Sequence, residues 1–328
     1  VVFLFRDKSI INIFFLVVLG IGVHLHFFVD APPVISDFND GLFSLALKKY
    51  LVGLSPTILF ILYIAVILVQ AIRLNFVLSD LRMFQATNFT AAAAYVLLTG
   101  MLTQWCSISP ALMANFLLIW LFTKLSRLYN HPSPKTLLFN TGLIVGLAVV
   151  CYHPTAILIL VVLFALAVVR PFNFAEWVVL LMGILMPYYF LASFLFLRDH
   201  LDTFQLYLPY LRLNLPAATW DIPLIVSLSV MVAMLLAGLY CWQVSNKRMV
   251  IQIRKNWGVM MVMLLILLPI PFIFLHAGIE SGFLSLVPLG AFAGYAFSYP
   301  RRMVLPNILF WLGLLVVIYN NWWLITHK

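Results

Sequence analysis

Carboxylates beside a helix that lies in a membrane interface can act on a headgroup-sized substrate, either as a general base or as ligands to a divalent cation. The segment Asp30-Ala-Pro-Pro-Val-Ile-Ser-Asp37-Phe-Asn-Asp40-Gly-Leu-Phe has this form. It leads into Gly41–Val52, where Phe43, Leu47, Tyr50 and Leu51 share one helical face while Ser44 and Lys48 point away. Asp37 and Asp40 are the candidate catalytic residues. Their alternative role is to cap that short helix. Lys48 is placed to meet a lipid headgroup.

A second polar segment, Arg198–Asp221, carries Arg198, Asp199, His200, Asp202, Tyr207, Tyr210 and Arg212. The guanidinium groups of Arg198 and Arg212 suit bidentate contact with a lipid phosphate, whether substrate or ordinary phospholipid. His276 and Glu280 stand four residues apart and could face one another across Gly278. His24 and His26 fall inside the apolar run 9–29; on a continuous helix their rings diverge, which is poor geometry for one metal. His153, before Pro154, reads as turn chemistry. Cys106, Cys151 and Cys241 form an odd set without C-x-x-C spacing and read as small buried hydrophobes. No motif calls for a cofactor; a divalent metal on the carboxylates is compatible with the pattern. G-x-S-x-G, H-E-x-x-H and Walker A sequences are lacking.

The elements that must position these residues are set by composition. The chain has 328 residues, of which 65% are hydrophobic and 9% charged. Soluble domains carry roughly 25% charged residues. An all-α polytopic bundle of about eleven transmembrane helices, one integral membrane domain over 1–328, is expected. Loops 30–52 and 198–221 lie outside and the basic loop 243–257 inside. The continuous apolar runs exclude an outer-membrane barrel. With the N-terminus inside, the inner loops hold Arg6, Lys8, Arg73, Arg82, Lys124, Arg127, Lys135, Arg170, Lys247, Arg248, Arg254, Lys255, Arg301 and Arg302, fourteen of the nineteen basic residues. Asp30, Asp37, Asp40, Asp199, Asp202, Asp221 and Glu280 fall outside, with most of the histidines. The orientation is therefore N-in, C-out. The net charge of +9 is spread over many loops and is no nucleic-acid footprint. No ionisable residue sits mid-span, against an ion-driven machine. Gly142-x-x-x-Gly146 and Gly290-x-x-x-Gly294 read as close helix packing.

Two resemblances follow. Arg170-Pro-Phe-Asn-Phe-Ala-Glu176-Trp177, with Gly183 and Pro187-Tyr188-Tyr189 after it, resembles a motif of an uncharacterised family of bacterial multi-pass inner-membrane proteins. That likeness implies a topology and a bacterial inner-membrane location, and no activity. Physically, Arg170 and Glu176 can pair as a structural clamp. The acid-bearing loop before an interfacial helix, with Gly142–Ala148 and His153-Pro154-Thr155-Ala156, is similar to the polyprenyl-phosphate-sugar glycosyltransferases of the GT-C fold. This likeness implies that Asp37, or alternatively Asp40, serves as base or acceptor-positioning acid. It also implies that Lys48, Arg198 and Arg212 hold the lipid phosphate. The expected partners are membrane lipids and a polyprenyl-phosphate-linked sugar. The alternative is a non-enzymatic subunit or assembly factor of an envelope complex, with an envelope protein as partner.

Overall fold

Backbone groups that meet hydrocarbon must be hydrogen-bonded within their own segment, so a chain this apolar folds as helices. The computed structural model describes residues 2–7, 9, 11–35, 40–129, 131–209, 221–274, 278–300 and 302–326, with side chains to Asn321. In chain order the helices are α1 Ile11–Val23, α2 Leu42–Tyr50, α3 Pro56–Asp80, α4 Thr90–Thr99, α5 Pro110–Ser126, α6 Pro134–Cys151 and α7 Leu158–Val169. They continue with α8 Phe174–Leu197, α9 Ile222–Asn246, α10 Ile251–Leu267, α11 Ile270–Ile273, α12 Leu286–Ser298 and α13 Val304–Thr326. Among the described residues, seven helical segments are long and apolar enough to cross a membrane. Four shorter apolar helices, at 11–23, 90–99, 110–126 and 153–169, pack among them. A lone parallel bridge joins Val34 to Ile108.

The loops sort into two opposite ends. At one, Arg6 donates to the carbonyls of Phe297 and Pro300, Arg170 to Leu128, and Lys255 to Val169. At the other, Asp40 meets His153, Trp105 meets Ile279, and Asn320 and Asn321 at the end of α13 meet Met101 and Val23. The first end, with Arg6, Arg170 and Lys255, is called the basic end, and the second, with Asp40, His153 and Glu280, the acidic end.

The centre is α4 and the 279–298 segment, of which 94% of the apolar window is buried. Small residues let these elements touch: side-chain carbons added at Gly290 and Gly294 would meet Tyr95 and Ala91, and one at Gly238 would meet the Phe292 carbonyl. At the edge, α6 lies on α8 in the same way. A carbon at Gly142 would strike the Leu180 carbonyl, and at Gly146 the Ile184 carbonyl. The expectation of close packing at both Gly-x-x-x-Gly sites therefore holds. So does the Arg170–Glu176 pair, at 3.2 Å, where Asn173 also caps α8 through the Ala175 amide.

Several expectations are revised. The apolar run 88–105 is helical only from Thr90 to Thr99; ten residues rise about 15 Å, half of a hydrocarbon core of about 30 Å. Residues 100–109 continue as buried, mostly irregular backbone, which is tolerated at depth only inside protein. On α2 the inward face is Ser44 and Leu47, while Tyr50 is exposed. The helix rests on α5 and α6 and is rotated from the face that Phe43 and Tyr50 suggested, because Gly41 seats its start against the Val150 and Cys151 carbonyls.

Replacing Gly146 by Leu should force α6 from α8 and cost about 1–3 kcal/mol or more. The check is thermal unfolding in detergent, with Gly22→Leu, where nothing lies within 4 Å, as the neutral control.

Candidate functional site at the acidic end

The loop after α1 is stitched down before it reaches Asp40. The Ile35 amide donates to the Ile108 carbonyl at 3.0 Å, and the Ile108 amide to the Pro33 carbonyl at 2.9 Å. Gly41 adopts φ of 101°, a left-handed value natural to glycine, and has no room for a side chain against Cys151. The Asp40 carbonyl accepts from the His153 amide at 3.2 Å. Gly41, not either aspartate, occupies the N-cap of α2. Asp40 is thereby pinned beside the turn that follows α6.

That turn begins with Tyr152, in extended backbone just beyond the last residue of α6, and its carbonyl takes both the amide and the hydroxyl of Thr155. Tyr152 is 2% exposed and His153 4%. Burial pushes the Tyr152 phenol well above its ordinary range, and the carboxylates of Asp40 and Glu280 push it further the same way. Glu280 arrives on the 3₁₀ segment Ile279–Ser285, which Trp105 fixes by donating its indole N–H to the Ile279 carbonyl at 3.1 Å. The Tyr152 phenol is thus within electrostatic reach of two acids far apart in sequence. The phenol stays protonated and can donate a hydrogen bond.

A cavity of about 210 Å³ borders the segment that bears Glu280, lined by Trp105, Leu224, Met231, Pro271, Phe272 and Ile279 among others. It exists because the chain breaks after α10, where Pro269 and Pro271 cannot supply the amides that would extend the helix. Its walls are apolar and its size suits part of a hydrocarbon chain.

Of the six residues expected at a site, Asp40 lies in this group. Lys48 is exposed on α2, and Arg198 ends α8 with its guanidinium 5.1 Å from the Phe194 ring centre. Neither is among the groups acting on Tyr152. Asp37, Arg212 and His276 lie outside the described residues. The expected partner of Glu280, His276, lies outside the described residues; the Glu280 carboxylate is felt at Tyr152. Tyr152 itself was missed, though its place before His153-Pro154 marked it as the residue entering a tight turn.

A second cluster corrects the reading of the histidines. α1 stops at Val23, and His24 has φ −113° and ψ 34°, so the helical divergence of two rings does not apply. The His24 and His26 rings lie 6.0 Å apart and, with Cys106, offer ligand atoms all within 4.8 Å of one another. All three are buried. These are the residues that could hold a metal ion.

Comparisons with protein-family models, curated proteins and solved structures returned no match to this chain.

The elevated Tyr152 pKa has a stability consequence. Both states keep the phenol protonated below pH 10.0, its ordinary value; above that the unfolded chain ionises first, and stability falls as pH rises toward the folded pKa. Tyr152→Phe should therefore flatten the alkaline side of a melting-temperature profile above pH 10.0. An unchanged alkaline slope would mean that the phenol is not held as described.

Proposed function

We propose that this chain is a glycosyltransferase of the GT-C type in a bacterial inner membrane, moving a sugar from a polyprenyl-phosphate carrier to an acceptor at the outer face. In this reading the four shorter helices complete eleven crossings, the N-terminus is inside, and the acidic end faces outward. The observation that carries it is Asp40, held by its carbonyl to His153 next to buried Tyr152, together with an apolar cavity bordered by Ile279 and Gly282 on the segment that bears Glu280.

The chemistry asks for little else. The acceptor hydroxyl attacks the anomeric carbon and its proton passes to a carboxylate, a role assigned in this reading to Asp40. The bond from the anomeric carbon to the phosphate oxygen breaks, and that electron pair leaves with the polyprenyl phosphate. Cations near the interface, Lys48 and Arg198, stabilise the departing charge. Glu280 and the Tyr152 hydroxyl orient the acceptor. The apolar cavity takes the first isoprene units of the carrier.

Asp40→Asn should lower release of polyprenyl phosphate from a labelled lipid-linked sugar pool by roughly a hundredfold, the scale of a lost general base. Folded yield and melting temperature should stay near wild type, because the main-chain bond to His153 survives. Full activity in Asp40→Asn would refute the role. Tolerance of substitution at both Asp40 and Glu280, with a protein partner retained on gentle extraction, would point instead to an envelope-complex subunit.

A further inference from the structure

Buried metal sites are recognisable by their outer partners as well as by their ligands. A ligating histidine usually donates its second N–H to a fixed oxygen, which sets the tautomer and aims the bare nitrogen. Both histidines of the His24–His26–Cys106 cluster are held in this way. The Thr99 hydroxyl donates to the Val96 carbonyl at 2.6 Å, so it can only accept from His24 Nε2, 3.1 Å away. His24 Nδ1 is then the unprotonated nitrogen, and it lies 3.9 Å from Cys106 Sγ. Asn321 donates its amide N–H to the Val23 carbonyl at 3.1 Å, which turns its oxygen toward His26 Nδ1. His26 Nδ1 is the donor, and the lone pair falls on Nε2.

The surroundings are buried and aromatic. His24 stacks on Phe27 with the rings 9° from parallel, and Tyr63 meets both rings edge-on at 5.0 Å. The Tyr63 hydroxyl donates to the Trp105 carbonyl, which anchors the residue before Cys106. The ligands sit on non-α backbone, at the end of α1 and in the segment after α4, where the chain departs from helix inside the protein.

We propose that His24, His26 and Cys106 form a binding site for a single soft monovalent cation, Cu(I). Three soft or borderline ligands suit this ion; zinc in a structural site seeks four. Charge decides in the same direction. On binding, the Cys106 thiol releases its proton to solvent, and one thiolate with two neutral imidazoles makes Cu(I) formally neutral. A divalent ion would leave one uncompensated positive charge in a buried site whose ligand set contains no carboxylate. Trigonal ligands at about 2.0–2.3 Å from a metal stand about 3.7 Å apart, so the 3.9 Å Cys106–His24 spacing already fits, and one ligand nitrogen of His26 lies within 4.8 Å of both. The site is independent of the transfer reaction proposed above.

The test uses the full chain in mild detergent under anaerobic, reducing conditions, titrated with Cu(I) against a chromophoric Cu(I) chelator. The wild type should retain one Cu(I) per chain, with X-ray absorption showing one sulfur and two nitrogen ligands. Cys106→Ser and His26→Ala should each weaken retention at least tenfold, while Cys241→Ser behaves as wild type. Because absorption reads the ligand set on the wild type, a variant that fails to fold leaves the proposal testable. Failure to retain Cu(I), a ligand set without sulfur, equal retention by folded Cys106→Ser, or stoichiometric Zn(II) in place of Cu(I) would each overturn it.

Discussion

The constraint on which this structure depends is the supply of hydrogen-bond donors to carbonyls exposed where helices stop inside the bundle. A helix leaves its last four carbonyls without partners, and away from water each must be satisfied by protein. Here buried side chains do so at break after break. Asn321 serves Val23 at the end of α1, Asn320 serves Met101 after α4, and Tyr63 serves Trp105. Trp105 in turn serves Ile279, and Asn115 serves Phe283. At the basic end Asn75, Trp257, Arg6, Arg170 and Lys255 serve Asn88, Met83, Phe297, Leu128 and Val169. A neutral hydrogen bond contributes only about 1 kcal/mol net, but an unmet buried carbonyl costs about 1–3 kcal/mol. The latches make short helices tolerable.

Short helices in turn make the acidic end what it is. Because α1 stops at Val23 and α4 at Thr99, two pieces of irregular chain can enter the protein and meet there. One bears His24 and His26, the other Cys106. Farther along, the same stitched loop delivers Asp40 to Tyr152, and the Trp105 latch holds the segment that delivers Glu280. The proline break after α10 opens the cavity that borders that segment. Latch, loop, acid pair and cavity are consecutive consequences of ending helices early. In the centre, Gln70, Tyr95 and Asn115 form a chain of hydrogen bonds that ties α3, α4 and α5 together where no charge is present.

Much of this was readable from the residues. Charge asymmetry separates the two ends because a charge is too costly to leave in hydrocarbon, whatever the tertiary fold. Glycines four apart announce close helix pairs, and Arg170 and Glu176 meet because the short turn into α8 brings them together. Helix ends were not readable. Hydropathy measures apolarity and does not say where a buried segment leaves the helix; residues 100–109 are mostly irregular because distant donors, Asn320 to Met101, Tyr63 to Trp105 and Ile35 to Ile108, satisfy their carbonyls. For the same reason His24 and His26 seemed to diverge and Cys106 seemed a plain hydrophobe. The inward face of α2 was misjudged because Ser44, a polar residue, packs inward beside the glycine that seats the helix. Tyr152 needed the electrostatic reach of Asp40 and Glu280, which no local pattern contains.

The measurement that bears most directly on the functional account is native mass spectrometry of the chain released gently from its own membrane, reading the lipids that stay bound. A carrier-binding enzyme should retain a polyprenyl phosphate or its glycosylated form, and lose it when Met231 or Gly282 in the cavity wall is replaced by a bulkier side chain. Retention of ordinary phospholipids alone, unchanged by those replacements, would contradict the account.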